Sequence, residues 1–150
     1  AVPDAPGSAD TAGGLDLAAT EDAYVDVFNE LRGAAGGSPL ARNATVDEAA
    51  AYYNKARVDA RYGDGEGPDR EALNGFGLAC SRPSVVAYEV AYDRTGQPVG
   101  DFDDESALAT ALVESYVERG APYRCAETGD VGVDIHVGPD GRVFVTHVLC

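Results

Sequence analysis

Apolar residues recur along the chain in three helical stripes and three strand-like runs, and these segments set the expected order of elements. Tyr24, Val27, Phe28 and Leu31 fall on one face of a helix that begins near Leu15 and is closed by Gly33, Gly36 and Gly37. Val46, Ala49, Ala50, Tyr53, Ala56 and Ala60 form a second stripe, opened by a Thr45-x-x-Glu48 capping box and stopped by Gly63. The third helix carries Leu108, Ala111, Leu112, Ser115 and Tyr116 and ends at Gly120. Its start overlaps the acidic run Asp101 to Glu105, whose carboxylates suit the helix dipole and the free amides there. Val85 to Tyr92 is β-branched and aromatic enough for a strand, stopped by Asp93-Arg94-Thr95-Gly96. Between Gly63 and Ser84 glycines and prolines break every periodicity, so a long loop is expected.

The C-terminal pattern is the most specific. Val131 to Val137 and Arg142 to Leu149 flank Gly138-Pro139-Asp140-Gly141, which reads as a hairpin. A two-residue loop would set Val143 and Val145 on the face of Asp134 and the histidines. A three-residue Pro-Asp-Gly loop with a glycine bulge instead gathers Val131, Val133, Ile135, Val137, Val143, Val145, His147 and Leu149 on one face, and this register is the expected one. Helices before and between strands, with an antiparallel hairpin last, predict an α+β domain over 15–150 in which helices cover a mainly antiparallel sheet. Residues 1–14, rich in Ala, Gly, Pro, Ser and Asp, read as a flexible arm or linker.

Composition changes the picture in one respect. Twenty-six acidic residues against eleven basic ones give a formal net charge of −15 over 150 residues, and Lys55 is the single lysine. Such a chain repels phosphate backbones and offers no basic stripe, so nucleic acid is excluded as a partner. The carboxylates are spread among an ordinary share of apolar residues, which points to a folded domain kept hydrated in concentrated salt, a halophilic composition. No run of apolar residues is long enough to insert in a membrane. The chain opens on Ala1, which reads as a processed N-terminus or a domain boundary.

Candidate chemistry is sparse. His136 and His147 face opposite sides of the expected hairpin and cannot share a metal; His147 reads as a hydrogen-bonded core residue and His136 as part of a solvated or helix-covered polar face. No nucleophile elbow, phosphate loop, dinucleotide fingerprint or zinc-protease motif is present. Asp64 to Asp69 misses the spacing of a calcium loop and reads as a turn. Cys80, Cys125 and Cys150 lack metal-site spacing and permit one disulfide with one thiol left over. Asn43-Ala44-Thr45 matches the N-glycosylation sequon, an acceptor only in a secreted protein.

Several segments in order resemble the CAP superfamily of cysteine-rich secretory, antigen-5 and pathogenesis-related proteins, in a haloarchaeal-type prokaryotic form. They are Phe28-Asn29-Glu30-Leu31-Arg32, Pro39-Leu40, the Ala-rich helix from Thr45, Leu78-Ala79-Cys80 before a strand, Leu108 to Tyr116, Val131-Gly132-Val133 and the closing Gly141 to Cys150. The likeness spans about residues 20–150. It implies a three-layer α-β-α sandwich and a cleft where two histidines and two glutamates converge on a metal. Carried over residue by residue, that set is degenerate. Tyr62-Gly63-Asp64-Gly65 lacks the first histidine, Tyr88 and Glu89 stand at the Gly-Glu-Asn motif, Tyr123-Arg124 stands at the second histidine, and only Glu114 is placed near the other glutamate.

The resemblance therefore implies a cleft without catalysis, metal or cofactor, formed by Tyr88, Glu89, Glu114, Tyr116 and Tyr123. It also implies a Cys80–Cys150 disulfide and hence an oxidising compartment, extracellular or at the cell surface. The expected function is binding or assembly there, with a protein or cell-surface partner or by self-assembly. The alternatives are a secreted protease-like or hydrolase enzyme and a carrier of a small apolar ligand.

Overall fold

The computed structural model describes residues 2–92, 98–118 and 129–150. Two short strands, β1 (Thr11–Ala12) and β2 (Leu15–Asp16), precede α1 (Leu17–Ala34). They are followed by β3 (Ala41–Arg42), α2 (Ala44–Tyr62), a 3₁₀ helix (Arg70–Phe76), β4 (Ser84–Val90), a 3₁₀ turn (Val99–Asp101), α3 (Glu105–Glu118), β5 (Asp130–Val137) and β6 (Val143–Leu149). β1 and β2 pair as a small ribbon. The other four strands make one mixed sheet in the order β3-β5-β6-β4, parallel between β3 and β5 and antiparallel elsewhere. The chain is thus α+β with a terminal hairpin, as its patterning predicts.

The hairpin adopts the three-residue, bulged register. Gly138 and Arg142 close the loop through Gly138 N–H to Arg142 O at 2.8 Å, and Gly141 takes φ +87°, a left-handed conformation that glycine adopts without strain. Val131 then faces Leu149, Val133 faces His147, Ile135 faces Val145 and Val137 faces Val143. This face packs with α1 and α3 in the main core, where Leu17, Leu108, Leu112, Ile135 and Val145 are fully buried. The other face carries Gly132, Asp134, His136, Phe144, Thr146 and Val148, and α2 lies on it, with Val46 and Ala50 against Val148.

Helix starts show where the local reading was right and where it slipped. Asp16 caps α1 by accepting from Ala19 N–H, and Asp104 accepts from Ala107 N–H at the start of α3. At α2 the cap is Asn43, not Thr45. Asn43 Oδ1 accepts from the amides of Thr45 and Val46, while its Nδ2 donates to Asp130 at 2.9 Å, so this cap also ties the helix to β5. The capping-box pattern matched by sequence falls two residues too late because it ignores that tertiary tie. The amide nitrogen of the sequon spends one of its two hydrogens on this bond, so a glycan would have to replace the other.

On α2 the inward positions include Asn54 and Val58, while Tyr53 is half-buried and Ala60 is exposed. Asn54 belongs inside because the sheet face it meets is polar. Its side chain donates to Asp134 O, Asp134 Oδ2 and Phe144 O and accepts from the Thr146 hydroxyl. Lys55, the single lysine, closes the same cluster on Asp134 at 2.8 Å. A buried carboxylate is tolerated only when it is paired and hydrogen-bonded in this way.

β3 covers only the first two residues of β5, and the rest of that edge is satisfied by other groups. Val133 N–H donates to Asp47, Ile135 N–H to Glu21 and Val137 N–H to the Ser8 carbonyl. Arg42 joins the two carboxylates and also pairs with Asp22. Residues 2–14, the segment expected as an arm or linker, run onto the same end of the sheet. Ser8 bridges Val137, and the Pro6 carbonyl lies 2.7 Å from His136 Nε2.

The loop from Gly63 to Ser84 holds the 3₁₀ helix, anchored by buried Leu73. It is tied to the chain end by a Cys80–Cys150 disulfide, with Cα atoms 5.4 Å apart and a sequence separation of 70. Closing a loop of that size stabilises by roughly 4 kcal/mol in the chain-entropy view. Cys125 and the Asp93 to Gly96 turn lie outside the described residues.

α2 approaches β5 closely only because residue 132 has no side chain: a Cβ there would collide with the backbone of Val46 and Asp47. Gly132→Ala is therefore expected to cost upward of roughly 2 kcal/mol in denaturant unfolding. Gly75→Ala, where a Cβ meets nothing, is the control, expected to stay within about 0.5 kcal/mol of the parent. Equal stability of the two variants would contradict the close approach.

Candidate functional site

Of the residues singled out by the family resemblance, the described ones, Tyr88, Glu89, Glu114 and Tyr116, do not line one cleft. Tyr88 points from β4 into the α1/α3 side, where its hydroxyl donates to Leu112 O at 3.0 Å and meets the Tyr24 hydroxyl at 2.9 Å. Tyr24 in turn lies 2.8 Å from His147 Nδ1. Tyr116 stands edge-on to the imidazole at 5.0 Å between centroids and also packs on Phe28 and Tyr88. Glu89, one residue on, faces the opposite side of the sheet. Glu114 is exposed on α3, and Tyr123 lies outside the described residues. The structure brings together Tyr88 and Tyr116 of that set, and it does so in the core.

Proton counting assigns the tautomer of His147. With the Tyr88 proton on Leu112 O, each remaining link can hold one proton only if Tyr24 donates to Tyr88 and His147 Nδ1–H donates to Tyr24. Nε2 is then a lone pair that finds no hydrogen-bond partner among the described residues. Burial pushes the His147 pKa down to about 4 and raises that of Tyr24 well above the usual phenol range. An imidazole that is 1% exposed and neutral is a packing and hydrogen-bonding group, in keeping with the core role expected of it.

His136 sits on the other face, as the register requires. Its Nε2 contacts the Pro6 carbonyl, and burial lowers its pKa. A depression of about 430 Å³ beside it is lined by the N-terminal segment and Lys55, whose ammonium is already held by Asp134. Among the described residues no three His, Cys, Asp or Glu side chains are placed to hold a metal ion.

The solvent-open convergence of charged groups lies instead on the α2 side and was missed by the sequence reading. Arg57, Ala60, Arg61, Pro68, Glu89 and Phe144 line a depression of about 360 Å³. Glu89 accepts from Arg142 at 2.8 Å and from Arg61 at 3.1 Å. The Arg57 guanidinium lies over the Phe144 ring, 5.5 Å from its centroid. The available signal was the i,i+4 pair Arg57 and Arg61 on α2, set across from Glu89 and Phe144, which are partners in the β4–β6 register. The apolar stripe of α2 does not report it, because these arginines lie off that stripe and their partners come from strands distant in sequence.

The neutral state of His147 has a pH consequence. The unfolded imidazole takes up its proton near 6.5 and the folded one only near 4, so stability is fully present above 6.5 and is lost as pH falls through that window, by about 3 kcal/mol. Glu21 works in the opposite sense. Burial, outweighing Arg42, raises its pKa to about 7, so it adds stability as pH falls from 7 toward 4.5. The measurement is best made in Glu21→Gln, which keeps an oxygen for Ile135 N–H. There the opposing Glu21 effect is removed, the acid loss carries His147 together with His136, whose pKa burial also lowers, and the His147 ring resonances are expected to stay neutral down to about pH 4. A His147 that titrates near 6.5 contradicts the burial argument.

No family model matches this chain and no curated protein matches its sequence, so the use of the site is argued from its own residues.

Proposed function

We propose that this chain is a non-catalytic CAP-like domain that acts by binding or assembly, outside the cell or at its surface, in a salt-rich setting. The observation that carries the reading is the fate of the polar groups. Each imidazole makes one internal contact and Tyr88 is bonded to both Tyr24 and Leu112 O, whereas the groups lining the depression at the end of α2 are arginines, a glutamate and apolar side chains suited to recognition. General acid–base work needs a titrating group near substrate, and His147 is sealed in the core.

The layer arrangement supports the family resemblance. With α1 and α3 packing on one sheet face and α2 on the other, a three-layer α-β-α sandwich is the architecture we infer. The Cys80–Cys150 bond supports an oxidising compartment. No helix among the described residues is long and apolar enough to cross a membrane. The acidic surface fits a protein or cell-surface partner, or a second copy of the chain, better than a polyanion.

One peptide library with two readouts tests the function. Peptides retained intact by the immobilised domain are the expected result. Turnover that disappears in Glu114→Gln would replace this reading with the hydrolase alternative. The salt-rich setting has its own test: thermal unfolding followed across a salt series is expected to show a melting temperature that rises steeply with salt. A domain equally stable at low salt contradicts the halophilic part of the proposal.

A further inference from the structure

We propose that the depression under Arg57 binds a monocarboxylate with an apolar or aromatic body, and that Arg57 is the group that takes the carboxylate. The proposal deepens the binding reading above and rests on it. It starts from how the chain spends its scarce cations. Arg42 holds Glu21, Asp22 and Asp47, Lys55 holds Asp134, and Arg61 and Arg142 share Glu89. Arg57 is partly buried yet forms no salt bridge among the described residues, in a chain that carries 26 acidic side chains. Its hydrogen bond to Asn54 Oδ1 is long, at 3.4 Å.

Placement and charge together select the ligand class. The guanidinium carbon lies 5.5 Å from the Phe144 ring centroid at the wall of the depression, and a guanidinium that makes no salt bridge among the described residues can meet a carboxylate there through paired N–H donors. Three guanidiniums, those of Arg57, Arg61 and Arg142, stand about Glu89, the single carboxylate of the lining, with Asp140 farther out beside Arg142, so positive charge is in excess among these groups. A single carboxylate meets that excess. A phosphate dianion would bring a second negative charge against Glu89. Ala60, Pro68 and Phe144 supply the apolar surface for the rest of the ligand. Two sources share this chemistry, a free aromatic acid and the C-terminal carboxylate of a peptide ending in an apolar residue.

The test is an NMR titration of the whole chain, following the backbone amide signals of Ala60, Glu89 and Phe144 in the parent and every variant, and the Arg57 Nε–Hε signal in the parent. The probes are phenylacetate, its neutral counterpart phenylacetamide, inorganic phosphate, and acetyl-Gly-Gly-Phe with either a free or an amidated C-terminus. Phenylacetate is expected to give a saturating shift, with phosphate and phenylacetamide at least tenfold weaker. Tighter binding of the free-acid peptide than of phenylacetate assigns the site to peptide C-termini, and the reverse order assigns it to small acids. Arg57→Gln is expected to weaken phenylacetate at least tenfold. Arg57→Lys, which keeps the charge and the aliphatic packing but not the paired donors, is expected to fall between, and Glu89→Gln to tighten binding severalfold. Equal affinity in Arg57→Gln with an unchanged fold by circular dichroism, or phenylacetamide binding as well as phenylacetate, overturns the proposal. Failure here with intact peptides still retained from the library sinks this ligand and leaves the binding reading standing; cleavage of the library with phenylacetate still bound does the opposite.

Discussion

The pairing of β5 with β6 is the constraint on which the rest of the molecule depends. Both strands are buried on both faces for nearly their whole length, so each residue's side of the sheet decides which layer it meets. The Pro139-Asp140-Gly141 loop fixes that choice. A slip of one residue between the strands would turn one of them over and carry either Asp134 and His136 or Phe144 and Thr146 into the α1/α3 core. The correct register sends valines, Ile135, Leu149 and His147 to that core and leaves the polar set for α2. Gly132 then matters because the same register points it at the backbone of α2.

From this follows the use of the acidic residues. A net charge of −15 suggests at first a cation site or a basic partner. In the fold many carboxylates serve as backbone acceptors instead. Asp16, Asp69 and Asp104 cap helices, Glu21 and Asp47 take the open amides of β5, and Asp134 organises the buried cluster with Asn54 and Lys55. The edge of β5 is where a sheet would otherwise invite another strand, and two carboxylates held by one arginine close it. Strand addition at that edge would have to displace the chain's own groups.

The hairpin, the three long helices and the opposed histidines were legible from the sequence because each is written in a local period or a loop type. What was not legible depends on partners distant in sequence. Asn54 could not be read as an inward residue until the face it meets was known to carry Asp134 and Thr146. Asn43 outcompetes Thr45 as a cap because it also reaches Asp130, a residue 87 positions away. The split of the tyrosines and glutamates across the sheet was implicit in the strand alternation, since Tyr88 and Glu89 are neighbours and must point to opposite faces. Treating them as one cleft set followed the resemblance and overrode that alternation.

The same alternation explains why stability and recognition sit on different sides of the sheet. On the α1/α3 side a chain of neutral polar groups runs from His147 through Tyr24 and Tyr88 to Leu112 O, all of it buried. Opening that side would strip the core of its hydrogen bonds. On the α2 side Asn54, Lys55, Asp134 and Thr146 bond to one another, and at the last turns of the helix Arg57 and Arg61 stand beside Phe144 and Glu89. There the chain has more guanidinium than carboxylate within reach, the reverse of its composition as a whole. In a molecule whose overall charge repels anions, this local excess of positive charge is a place where an anion from outside the chain meets attraction, and the apolar lining beside it gives such a group a surface to rest on.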